Sequence, residues 1–85
     1  MFSINEIETA IIDAVKEVSG GYQVTDKDMH LLDDSIPMPI VNYLYVFDML
    51  EKKLNLPVVK VLETNDYTVF TVRNLARSIN ELQSK

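Results

Sequence analysis

The chain has 85 residues, 47% of them hydrophobic, a formal net charge of -5 and no cysteine. That length and apolar content allow one small core and argue against a wholly disordered chain, so residues 1–85 are read as a single domain. The missing cysteine excludes disulfides, thiolate nucleophiles and cysteine-ligated zinc, and the negative charge disfavours binding to a nucleic-acid backbone.

No apolar run approaches the roughly 20 residues that span a bilayer. The stretch Met1-Phe2-Ser3-Ile4-Asn5-Glu6 lacks a basic segment leading into an apolar one, so no signal peptide is visible. The expectation is a cytoplasmic chain with no membrane association, whose acidic surface meets protein partners.

The first predicted helix runs from Ser3 to about Ser19. Ser3 and Glu6 have capping-box spacing, in which each side chain satisfies a free amide at the helix start. Ile7, Ala10, Ile11, Ala14 and Val18 recur at three- and four-residue steps and form one apolar stripe. Gly20 and Gly21 end it, because glycine tolerates the left-handed conformation past the last turn.

From Tyr22 to Met38 no period holds, and at about 17 residues this connection exceeds the usual length. Leu31, Leu32 and Ile36 are expected to anchor it in the core. Asp26, Asp28, His30, Asp33 and Asp34 suggest a metal loop, yet an EF-hand register starting at Asp26 would place Leu31 and Pro37 where glycine and glutamate are needed. No metal site is expected. His30 reads as an exposed loop residue. A Ser35–His30 nucleophilic pair has no orienting acid or oxyanion hole signalled by any motif. No catalytic residue is assigned, and the domain is not read as an enzyme.

The second helix begins near Pro39 and ends near Leu54. Proline suits a first turn, where its missing N–H costs nothing. Ile40, Tyr43, Leu44, Phe47, Leu50 and Leu54 are expected to be buried, with Tyr45, Val46 and Met49 off that stripe. Tyr45 and Met49, one turn apart, would form an exposed apolar pair suited to partner contact. Asn55-Leu56-Pro57 closes the helix. Residues 58–62 read as a short helical turn or an extended connector. A last helix starts at Thr68 or Thr71, with Val72, Leu75, Ala76, Ile79 and Leu82 inward and Arg73 and Arg77 outward.

This order, with one long first loop, a helix beginning near a serine and a short third element, resembles the acyl and peptidyl carrier proteins. The likeness covers nearly the whole chain. It includes Leu50-Glu51-Lys52-Lys53-Leu54-Asn55-Leu56-Pro57-Val58, similar to the end of that family's second helix, and Phe70-Thr71-Val72-Arg73-Asn74-Leu75, similar to the opening of its last. It implies an all-α, acyl-carrier-like four-helix bundle. In the family, a serine within an Asp-Ser-Leu motif at the second helix start carries 4'-phosphopantetheine.

Two placements of that motif compete. Matching letters puts the serine at Ser35, within Asp34-Ser35-Ile36. Matching the family's interval back from Leu54 reaches Ile40 instead, with Pro39 in the aspartate slot and Val41 in the leucine slot. Leu32 and Ile36 then take the apolar positions that anchor the family's loop. Proline chemistry favours the second placement. With Ser35 as helix cap, Pro39 would sit where intrahelical bonding begins, and each proline pushes its predecessor out of the helical region. Isoleucine has no hydroxyl to modify.

The resulting expectation is a monomeric interaction module of a biosynthetic system, similar to carrier-related proteins of bacterial peptide-maturation clusters. It would have no prosthetic group and would present Ile40, Val41, Asn42, Tyr45 and Met49 to partner enzymes. The alternative is a working carrier modified with 4'-phosphopantetheine on Ser35. The family's second helix is usually strongly acidic, whereas this one sets Asp48 and Glu51 against Lys52 and Lys53. A third class, a helix-turn-helix DNA reader, is disfavoured by the long first loop and by a last helix offering only Arg73 and Arg77.

Overall fold

The computed structural model describes residues 2–83. Among them the chain forms four α-helices and no β-strand: α1 (Ile4–Ser19), α2 (Tyr43–Leu54), α3 (Val59–Thr64) and α4 (Val72–Gln83). None is long and apolar enough to cross a membrane. The helix α1 packs against both α2 and α4, while the short α3 packs on α4.

Helix α1 starts at the capping box its sequence announces. The Ser3 hydroxyl accepts the Glu6 N–H at 3.1 Å, and the Glu6 carboxylate accepts the Ser3 N–H at 2.9 Å. Hydrogen bonding from Ser3 to the ionised form, chiefly from its backbone N–H, holds the Glu6 carboxyl below its ordinary range. Gly20, at φ 84°, ends the helix in the left-handed region. Ile7, Ala10, Ile11, Ala14 and Val15 are buried, whereas Val18 is only half-buried because it lies in the final turn.

The loop between α1 and α2 is tied down along its length. Val24, Leu31 and Ile36 enter the core, and Leu32 is half-buried beside them. Its backbone is stitched to the segment leading into α4. The Leu31 N–H donates to the Phe70 carbonyl at 2.7 Å, the Arg73 N–H donates to the Lys27 carbonyl at 3.0 Å, and His30 and Thr71 form an isolated antiparallel bridge. Two ion pairs add to this. Lys27 reaches the buried Glu8 of α1 at 2.9 Å, and Arg73 of α4 reaches Asp28 at 2.6 Å.

Pro39 is the extended cap residue of a 3-10 turn, Ile40–Asn42, that runs directly into α2. The helix ends at Asn55, whose φ of 56° is the one positive value on a described non-glycine residue. Asparagine tolerates that conformation better than most residues. Residues 59–64 are helical, which resolves the open reading of that segment in favour of a helix. Pro57 permits the turn into α3, and Glu51 of α2 accepts the Val59 N–H at 3.2 Å in place of a local cap. Thr71, not Thr68, begins α4: its hydroxyl accepts the Asn74 N–H at 3.0 Å. Thr68 lies in the preceding 3-10 turn, bonded to Asp66. Val72, Leu75, Ala76 and Ile79 are buried, and Arg73 and Arg77 face out as their spacing predicts.

Candidate functional site: the start of helix α2

Helix α2 buries four of the six residues its sequence placed on the inner stripe, Tyr43, Phe47, Leu50 and Leu54, and departs from it at one edge. Tyr43, Val46, Phe47, Leu50 and Leu54 are buried. Ile40 and Leu44, expected inside, are 72% and 66% exposed, and Val46, expected outside, is buried. The stripes 40-44-47 and 43-46-47-50 both obey helical spacing. The aromatic rings decide between them. Tyr43 and Phe47 lie with centroids 6.2 and 5.8 Å from Phe70, a cluster that fixes the rotation of α2. Leu44 then points to solvent.

What remains outside is an apolar crest. Val41 and Tyr45, 59% and 63% exposed, join Ile40 and Leu44 on adjacent turns. Asn42 is half-buried. Met49 does not belong to the crest, which corrects the expected exposed pair with Tyr45. It is half-buried in a groove of about 410 Å³ between α1 and α2, floored by Ala10, Ala14 and Leu50. Three residues beyond Val46, it borders the core stripe, and the two alanines leave it room to lean inward.

Ser35 stands apart from the helix start. It is exposed, its N–H donates to the Asp33 carboxylate at 2.9 Å, and its hydroxyl lies 3.5 Å from the Met29 sulfur. The bonds from Ser35 hold the Asp33 carboxyl below its ordinary range. Asp34 is exposed beside it. Between Ser35 and α2 lie the buried Ile36 and both prolines. Ser35 and Asp33 thus form a side-chain-to-backbone turn of the Asx kind. The Ser35 hydroxyl is directed to Met29, not to His30.

His30 is half-buried rather than exposed. Its ring is tilted against Phe70 at 6.1 Å, and its Nδ1 accepts the Leu32 N–H at 3.2 Å. The bridge to Thr71 draws it inward. Among the described residues no group of three or more His, Asp or Glu side chains is arranged to hold a metal ion.

Reading the sequence passed over one role of Tyr43, which both fills the core and locks the loop. Its hydroxyl donates to the Leu31 carbonyl. Burial, with a smaller contribution from Tyr22, pushes its phenol from 10.0 up to about 12. Between pH 10 and 12 the unfolded phenol is ionised while the folded one keeps its proton, so stability present below pH 10 is lost as pH rises toward 12. The loss amounts to about 2–3 kcal/mol at most. Tyr43→Phe is expected to cost about 1–2 kcal/mol at neutral pH, by orphaning the Leu31 carbonyl, and to flatten that alkaline decline. Urea denaturation of both proteins from pH 8 to 12 checks it; parallel curves would refute the assignment.

Comparison with protein-family models, with curated proteins and with solved structures returns no match.

Proposed function

We propose that the chain is an acyl-carrier-like protein-interaction module that carries no phosphopantetheine arm and works through the start of α2. The observation that supports this most is the exposed Ile40 in the first turn after the Pro39 cap. By the resemblance in the sequence, that turn is where a carrier presents its serine. The helix order and the short α3 agree with a carrier-like bundle. Isoleucine offers no nucleophilic oxygen, so the residues at this turn do not fit the prosthetic group. In this reading the protein is a non-catalytic partner of biosynthetic enzymes, and Ile40, Val41 and Tyr45, with Leu44, form the contact.

The test is intact-mass measurement after incubation with coenzyme A and a broad-specificity phosphopantetheinyl transferase. The expected result is an unchanged mass for this chain. The doubly substituted Pro39→Asp, Ile40→Ser chain is expected to gain one phosphopantetheinyl group, because the carrier motif is then restored at a helix start. A gain on the unsubstituted chain that Ser35→Ala abolishes would overturn the reading in favour of a working carrier.

A further inference from the structure

The groove of about 410 Å³ between α1 and α2 is a second surface, lined by none of the crest residues Ile40, Val41, Leu44 and Tyr45. Its floor is apolar, made by Ala10, Ala14, Met49 and Leu50. Its two walls carry opposite charge. Asp13 and Glu17 stand on α1, Lys52 and Lys53 on α2, and all four are exposed. No ion pair among the described residues crosses the groove, and the one that Lys52 forms runs to Asp48 on its own helix. An acidic wall and a basic wall therefore flank an apolar floor without neutralising each other by direct contact.

Shape and charge together select the occupant. The groove is concave, so two copies placed groove to groove would leave a void between them. Each copy also carries a net charge of -5, which opposes self-association. An extended segment would find no main-chain partners, because both walls are helices and offer no open sheet edge. A helix is convex and would meet the groove along about 10 Å of α1, from Ala10 to Glu17, the length of two helical turns. We propose that the groove receives an amphipathic helix of a different protein, whose apolar stripe is flanked by basic residues on one side and acidic residues on the other. The basic flank lies against Asp13 and Glu17, and the acidic flank against Lys52 and Lys53. Turning the guest end for end exchanges its flanks, so charge admits one direction of docking. Apolar residues three and four apart on the guest cover the floor at Ala10, Ala14 and Met49 and supply the adhesion. The proposal does not rest on the arm-less carrier reading, and the mass measurement leaves it untouched.

The probes are synthetic helical peptides sharing one leucine stripe. The mixed peptide has lysine on one flank and glutamate on the other; two controls have lysine on both flanks or glutamate on both. Each is titrated into isotope-labelled full-length chain and followed by amide chemical shifts, at about 0.15 M salt, which screens charges more than roughly 8 Å away. The mixed peptide is expected to shift residues 10–17 and 49–53 and to bind at least about fivefold more tightly than either control. Substituting Asp13→Lys together with Glu17→Lys, at two exposed positions outside any ion pair among the described residues, makes both walls basic. That variant should prefer the glutamate-only peptide. Direction is read from a nitroxide on the peptide N-terminus. It should broaden one end of the groove, Ala10 or Glu17, with the mixed peptide, and the opposite end with a peptide whose flanks are exchanged. Absence of binding, equal binding by all the peptides, or shifts away from the groove would each overturn the proposal. Tightest binding by the lysine-only peptide would overturn it too, as the result of net charge alone. So would broadening of the same end by both mixed peptides, a preference unchanged by the double substitution, or concentration-dependent dimerisation in sedimentation that the substitution removes.

Discussion

Leu50→Ala is expected to destabilise the protein by about 3–5 kcal/mol, a large part of the total for a domain of this size. Leu50 is fully buried at the middle of α2, facing Ala10 and Ala14 across the α1–α2 contact. Those alanines are too short to fill the space, so the lost contacts are not regained by collapse. The companion substitution Leu44→Ala, in the same helix, is expected to change stability by less than about 0.5 kcal/mol because its side chain already stands in water. Urea denaturation of the two variants makes a direct comparison. Similar losses at both positions would mean that α2 is rotated from the arrangement described.

The second large effect is an asymmetry between two halves of one ion pair. Glu8 is 5% exposed while the Lys27 side chain retains 42% of its exposure, so the carboxylate is the buried partner. Lys27→Met leaves that carboxylate in a poorly hydrated site without its ion-pair partner and is expected to cost about 2–3 kcal/mol, below the usual range for breaking a buried pair because water still reaches the lysine side and the Arg73 charge still acts on Glu8. Glu8→Leu removes the charge that needed compensation and is expected to be near neutral or stabilising. Midpoints of urea unfolding at neutral pH and low salt report both. A Lys27→Met loss no greater than that of Glu8→Leu would show the pair to be a surface contact of little consequence.

Much of this architecture was legible because local chemistry and burial agree. The Ser3–Glu6 box, Gly20 and the stripe of α4 each specify one outcome, and the chain adopts it. The two prolines before α2 were equally informative, since Pro39 caps the turn that opens the helix. Periodicity failed where it was degenerate. Apolar residues cover most of α2, so spacing alone could not choose between Leu44 and Val46; Phe70, far along the sequence, made the choice. Glu8 escaped notice for a related reason. An acid next to Ile7 reads as solvent-facing until Lys27, brought in by the loop, gives it a partner. His30 likewise depended on Phe70 and Thr71 from a remote segment. The polar loop showed its anchors Leu31 and Ile36 in sequence but not what they would meet.

The stitching of that loop to the approach of α4 has a consequence for the order in which a growing chain takes shape. The Lys27 carbonyl and the Leu31 N–H find their backbone partners in Arg73 and Phe70. The aromatic cluster that orients α2 is likewise incomplete without Phe70. A chain emerging N-terminus first can form α1 early, from local bonds alone. The crest of α2, however, lacks the aromatic part of its support until Phe70, some forty positions beyond Leu31, is free to pack. Fixing of the exposed apolar face at the start of α2 is thereby tied to a segment made long after it.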